Sequence, residues 1–310
     1  MAGGGYCACK LGRGLREYFA VIFSTGREFG RTGTAEVRRS FMIHKIDTDE
    51  KGILKGINCF ALDMDGTVYL GEKWIDGARD FLKAVEDAGK KYVFLTNNSS
   101  KNPQAYVEKL ERMGLTIGLN QIVTSGEATI DYLKKNFPEK RIYLLGNELL
   151  QEEFQEAGIR LDEKAPEVIV VGFDTCLTYA KLCRVCDLVR EGLPYISTHP
   201  DFNCPTETGF IPDAGAIHAF IHASAFRYPD HVIGKPSGDI MDYLAQRAGV
   251  LKNETAMVGD RLYTDVAAGV NNGYTGILVL SGEAGMKDVE ESDVVPDLIF
   301  SSVKEMIPFL

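Results

Sequence analysis

The chain has 310 residues, 45% of them hydrophobic and 25% charged, the usage of a globular protein with room for one large domain or two modest ones. Its 34 basic and 44 acidic side chains leave a net charge of −10, which argues against nonspecific nucleic-acid binding, although a local lysine or metal can still invert the field inside one cleft. No apolar run approaches the roughly 18 residues of a membrane span, the longest near the start covering only 18–23.

Residues 1–41 carry seven basic against three acidic side chains, many glycines and no periodic pattern. They are expected to be a disordered extension; an arginine-rich organelle transit segment is the other reading, and Met42 opens the well-patterned sequence. The cysteines Cys7, Cys9, Cys59, Cys176, Cys183, Cys186 and Cys204 are odd in number. A chain of this size needs no staples, so reduced thiols and a cytoplasmic location are expected. Cys183 and Cys186 have zinc-knuckle spacing but no second pair, and both read as buried thiols on one helix.

Strands and helices alternate from about residue 57. Apolar runs at 58–62, 92–96, 122–124, 231–233, 255–258 and 275–280 read as strands. They are continuous rather than alternating, as in a parallel sheet covered on both faces. Helical spacing covers 78–88, closed by Gly89, and 104–113, closed by Gly114, glycine being a common helix stop. The stretch 133–212 has its own strands at 141–145, 168–171 and 194–197 and its own helices near 148–157 and 178–191. The expected map is therefore an α/β main fold over 55–132 and 213–310, interrupted by an α/β insert over 133–212.

The strongest chemical signal is Asp63-Met-Asp-Gly-Thr67, directly after the first strand. Gly66 lets the chain turn away, so two carboxylates share a small space. They repel unless a cation or a shared proton compensates, and a hard divalent ion such as Mg²⁺ suits oxygen donors. Three further segments follow apolar strands: Thr96-Asn-Asn-Ser99, Gly234-Lys-Pro-Ser237 and Gly259-Asp-Arg-Leu-Tyr-Thr-Asp265. They bring hydroxyl and amide donors, Lys235, Asp260 and Asp265 to strand ends, where open α/β sheets bind ligands.

Those four segments resemble the motifs of the haloacid dehalogenase superfamily of Mg²⁺-dependent phosphatases. The resemblance runs from about 55 to 310 and is closest to subclass IIA, the NagD-like or p-nitrophenyl phosphatase branch. The insert is similar to that branch's large α/β cap, including Val171-Gly-Phe-Asp174 and Thr198-His-Pro-Asp201; His199 stands where many relatives carry Asn. The implied fold is a Rossmann-like core with a parallel sheet and an inserted α/β cap. The implied roles make Asp63 the nucleophile, Asp65 the general acid/base and Lys235 the charge-neutralising cation. Thr96, Asn97 and Asn98 would bind phosphoryl oxygens, and Asp174, His199 and Asp201 the leaving group. Mg²⁺ would sit on Asp63, the Asp65 carbonyl and Asp260, with Asp265 supporting them from behind. The implied partner is a small phosphate ester, with a nucleoside monophosphate as one alternative, and relatives often dimerise through the cap.

Competing readings fit fewer of these residues. A glycosyltransferase could use Asp63-Met-Asp65 to hold a nucleotide-sugar through a metal, yet needs neither Gly66-Thr67 nor Lys235 and Asp260. A phospho-receiver would lack the acid/base Asp65. A phosphomutase of this kind carries a helical cap for which the 28 residues between Thr67 and Thr96 are too few. His218 and His222, spaced i, i+4, lack the glutamate and third ligand of a metalloprotease. Gly234-Lys235 lacks the upstream glycine of a phosphate-binding P-loop.

Overall fold

The computed structural model describes residues 50–206 and 209–310, leaving aside the side chains of residues 50 and 51. The expectations for 1–41, Met42, Cys7 and Cys9 lie outside the described residues. Among the described residues, no helix is long and apolar enough to cross a membrane.

The main sheet has six parallel strands in the order β15 (Leu298–Phe300), β14 (Thr275–Val279), β13 (Thr255–Gly259), β1 (Cys59–Leu62), β4 (Lys91–Thr96) and β5 (Ile122–Thr124). β1 is central and fully buried. Its Leu62 is level with Val258 on one side and Phe94 on the other. That register brings the carboxyl ends of β13, β1 and β4 side by side, so the segments after them share one rim. A short antiparallel hairpin, β2 (Tyr69–Leu70) with β3 (Lys73–Trp74), follows β1.

Side chains alternate across β1. Phe60 and Leu62 join Phe81, Phe94 and Ile277 on one face; Cys59 and Ala61 face Val93, Leu95 and Leu244 on the other. Phe60 and Phe81 meet edge to face with centroids 5.7 Å apart. The second cluster continues through Ile142, Leu150, Phe154, Val168 and Ile196, so apolar packing runs without a break from the main sheet into the insert.

The insert forms a second parallel sheet, in the order β12 (His231–Val232), β9 (Tyr195–Ser197), β8 (Val168–Val171), β6 (Arg141–Leu145) and β7 (Arg160–Leu161). A two-stranded antiparallel ribbon, β10 (Asn203–Thr206) and β11 (Gly209–Pro212), hangs from it. One expectation needs correcting: the run at 231–233 reads as part of the main fold, but β12 pairs with β9 of the second sheet. The helix Ala214–Ala225 also sides with the insert, sharing Ile217 and Ile221 with Val185 and Val189 of the helix Tyr179–Arg190. A two-residue strand carries no information about which sheet's edge will accept it. Lys235 therefore enters the rim from a strand of the second sheet.

Cys186 is buried as expected, whereas Cys183 is exposed; i and i+3 on a two-faced helix need not be equally covered once the neighbouring helix is off-centre. His218 is buried in a ring of hydroxyls, with Tyr195 Oη 2.6 Å from Nδ1 and Ser197 Oγ 2.5 Å from Nε2. His222 stacks on Tyr228, centroids 3.7 Å apart. The pair thus serves packing and hydrogen bonding.

Phe60→Ala should cost about 3–5 kcal/mol, because it empties a site closed on all sides. Urea unfolding followed by the fluorescence of Trp74, the chain's one tryptophan, measures this; a loss below about 1 kcal/mol would mean that the cluster refills the gap.

Candidate active site

Asp63 leaves β1 with its N–H still donating to Val258 O at 2.9 Å, which holds its side chain at the rim. The chain then coils tightly: Val68 and Tyr69 both donate to Met64 O, at 3.1 and 3.2 Å. Gly66 has φ +92°, and a Cβ there would collide with the Asp260 carboxylate. Glycine at this position both makes the turn and admits Asp260 against it. Beyond β13, Asp260 is 3% exposed and accepts from Glu283 N at 2.7 Å through Oδ2. Its Oδ1 is buried without a hydrogen-bond partner. Asp265 is also buried, with Oδ2 accepting from Arg261 N at 3.1 Å.

Lys235 completes this centre. Its ammonium donates to Asp63 Oδ1 at 2.5 Å and to Leu95 O at 3.3 Å, and pairs with Asp265 Oδ1 at 2.7 Å. Burial by itself would lower the lysine's pKa, but Asp265 and Asp63 outweigh it and hold the ammonium charged. Burial pushes Asp63 well above the ordinary carboxylate range; Asp265 adds to that and Lys235 opposes it. Asp260 is pushed up by the same causes, burial first and Asp265 second. Carboxylate oxygens of Asp63, Asp260 and Asp265 lie within 4.8 Å of one another. Three acids around one ammonium, with an orphaned inward oxygen on Asp260, fit a hard divalent cation. Asp265, assigned only a supporting place from the sequence, has its carboxylate inside this cluster.

Asp65 occupies different surroundings two residues away. Its Oδ1 accepts a long 3.4 Å bond from Gly71 N. Burial raises its pKa, with Lys109 acting against the rise. Two carboxylates of one loop are therefore held in unlike environments, one against Lys235 and one beside the hairpin.

A cleft opens between the two sheets, lined by Asp63, Asp65, Thr96, Asn97, Asn98 and Lys235 from the expected set, and by Asp201 from the insert. Thr96 Oγ1 accepts from Asn98 N at 3.2 Å. Asn98 Oδ1 accepts from Ser100 N at 2.9 Å, and its Nδ2 faces Cys204 Sγ at 3.6 Å. The Asn97 amide does not point freely into the cleft: Oδ1 accepts from Lys235 N at 2.7 Å and Nδ2 donates to Lys235 O at 2.9 Å.

Two expected leaving-group contacts are not brought into the cleft. Asp174 is buried against Cys176 N at 2.8 Å and Lys181 Nζ at 2.6 Å, because the turn after β8 faces its own helix. His199 is fully buried, bridging Asp213 Oδ1 at 2.8 Å and Thr198 Oγ1 at 2.9 Å. In their place the cleft takes Tyr106, Asn203, Cys204, Pro205, Asp213 and Arg261. Arg261 was in view, inside the segment that supplies Asp260 and Asp265. The ribbon residues and Tyr106 had no local signal, since only packing between the two sheets turns them toward the rim.

Residues 60–160 match the haloacid dehalogenase-like hydrolase family, and residues 232–306 match a second haloacid dehalogenase-like hydrolase segment. An acid sugar phosphatase of Staphylococcus aureus is 36% identical over 255 residues, covering 82% of this chain and 98% of its own. A 4-nitrophenylphosphatase structure from Thermotoga maritima is 45% identical with a TM-score of 0.80, covering 83% of this chain and 98% of its own. NagD from E. coli is 30% identical with a TM-score of 0.75, covering 80% and 98%. The chain belongs to the haloacid dehalogenase-like hydrolases, in their NagD/p-nitrophenyl phosphatase branch. It is a phosphatase, a phosphoric monoester hydrolase. The main sheet is the hydrolase core and the second sheet its inserted cap.

Raised carboxylate pKa values mean that the folded protein keeps protons which the unfolded chain has already lost. Without a cation, stability should fall as pH rises from the ordinary carboxylate range through the raised values of Asp63 and Asp260. A bound divalent cation replaces those protons, so it should raise Tm by several degrees at pH 8 and much less at pH 5. Scanning calorimetry with and without added divalent cation tests this, and equal shifts at both pH values would count against the carboxylate cluster as the site.

Proposed function

We propose that this phosphatase hydrolyses small-molecule phosphate monoesters through an aspartyl-phosphate on Asp63, with Mg²⁺ as its metal. The observation that carries the reading is the unlike pairing of Asp63 and Asp65: one carboxylate against a buried ammonium, the other bonded, among the described residues, only by the backbone of the hairpin turn at Gly71.

Asp63 attacks phosphorus, and the ester oxygen departs as an alcohol with the proton that Asp65 supplies. Asp65, now a carboxylate, takes a proton from water as that water attacks the phosphoryl group. Inorganic phosphate leaves and Asp63 regains its carboxylate. Lys235 opposes the rise that burial imposes on Asp63 and offsets charge on the phosphoryl oxygens. Thr96 lies at the same rim as a hydroxyl donor to those oxygens. Asp63 and Asp260, with the Asp65 carbonyl, would hold Mg²⁺, and Asp265 orients Lys235 beside them. When bound, Mg²⁺ supplies further charge neutralisation for phosphoryl transfer, which depends mainly on positioning and electrostatics.

The leaving-group side supports a polyhydroxylated alcohol. Asn203, Asp213 and Arg261 line it, and such groups can hydrogen-bond the hydroxyls of a polyol. The acid sugar phosphatase relative agrees with a sugar phosphate as the substrate class.

Asp63→Asn should abolish turnover. Asp65→Asn should lower it by roughly 10²–10⁴-fold for an alkyl phosphate. With p-nitrophenyl phosphate, whose phenolate needs little protonation, Asp65→Asn should give a burst of nitrophenolate, then slow turnover with phosphate trapped on the protein. EDTA should stop the wild type and Mg²⁺ restore it. Trapping in Asp63→Asn but not in Asp65→Asn would reverse the two roles.

A further inference from the structure

One cap side chain, Asp201, reaches the core amide that holds the Lys235 backbone. Asp201 lies on the loop between β9 and β10, and its two oxygens are 3.2 and 3.3 Å from Asn97 Nδ2. The same amide nitrogen donates to Lys235 O at 2.9 Å, and its Oδ1 accepts from Lys235 N at 2.7 Å. Asn97 is thus a two-pronged clamp on the backbone that carries the ammonium, and Asp201 is the third point that orients the clamp. Arg261 Nη1, also from the core, is 4.0 Å from Asp201 Oδ2.

The Asp201 loop is itself braced. Ser197 Oγ donates to His199 O at 2.8 Å, His199 Nε2 meets Asp213 Oδ1 at 2.8 Å, and Gly215 N donates to Asp201 O at 2.8 Å. The joint leaves no spare room: a Cβ on Gly234 would lie 2.7 Å from Asn97 Oδ1, His199 Cβ and Thr198 O. A displacement of the loop is therefore felt at Asn97 and at the Lys235 backbone.

We infer that Asp201 is a positioning residue of the cap which, through Asn97, sets where the Lys235 ammonium stands against Asp63. The inference rests on the phosphatase reading of this site. It departs from the simpler role of Asp201 as a reader of the leaving group, because both carboxylate oxygens are already turned to core groups. The two roles differ for inorganic phosphate, which has no leaving group.

The test uses the Mg²⁺-loaded full chain with Asp201→Ala and the isosteric Asp201→Asn. Calorimetry measures the dissociation constant of inorganic phosphate, and steady-state kinetics are taken on p-nitrophenyl phosphate and a hexose phosphate. Losing a hydrogen bond to a charged acceptor is worth on the order of 10-fold or more. Phosphate binding in Asp201→Ala should weaken about 10-fold, and kcat/KM should fall by at least a similar factor for both esters. Asp201→Asn, which keeps an acceptor oxygen, should recover part of both. Should Asp201→Ala fail to fold, the cycle of Asn97→Ala with Asp201→Asn decides, a non-additive loss of phosphate affinity being expected. Unchanged phosphate affinity, losses confined to one ester, or additive effects would overturn the inference. Turnover that survives Asp63→Asn would instead overturn the underlying reading, so the two failures are distinct.

Discussion

The ammonium of Lys235, buried between Asp63 and Asp265, is the constraint on which the rest of the site depends. Clustered carboxylates at the ends of two buried strands are strongly unfavourable without compensation. One lysine cannot neutralise three acids, and Asp260 keeps an oxygen with no hydrogen-bond partner. That residual imbalance makes the cluster one that could hold a divalent cation. A fully compensated cluster would be more stable and chemically idle.

The fold supplies this lysine from an unexpected direction. Asp63, Thr96 and Asp260 all follow strands of the main sheet, whereas Lys235 follows β12 of the cap sheet. The cation thus stands where the chain re-enters the core, and its backbone is held by the core residue Asn97. Core and cap are joined by the apolar cluster from Ala61 to Phe154 and by polar contacts, among them the joint around Gly234. The first is nondirectional and tolerant; the second is directional and sets ångström-scale geometry.

The cleft shows the same division of labour between charge and shape. On the core side each polar group is tied to a neighbour: Thr96 to Asn98, Asn98 to Ser100, Asn97 to Lys235. Such ties hold donors in place before a substrate arrives, which is how a rigid polar site lowers a barrier. On the cap side the ribbon of β10 and β11 is much more exposed, and its contribution to the cleft is mostly a surface of moderate polarity.

The parallel core, the order of the four motif segments and the meeting of Asp63, Asp65, Lys235 and Asp260 at one rim were legible in the linear chain. Each is local: an apolar run fixes a buried strand, and the residues just beyond it fall at the rim whatever the rest of the protein does. Membership of β12 in the cap sheet was not local, because two residues pair equally well with either edge. The fates of Asp174, His199 and Asp201 were not local either. All three follow cap strands, yet helix Tyr179–Arg190 takes up Asp174, Asp213 takes up His199, and only Asp201 reaches the cleft. Sequence patterning carries the energy of burial along one element, whereas the aim of a loop carboxylate depends on which donor from a distant element comes within hydrogen-bond reach, and only the tertiary packing decides that.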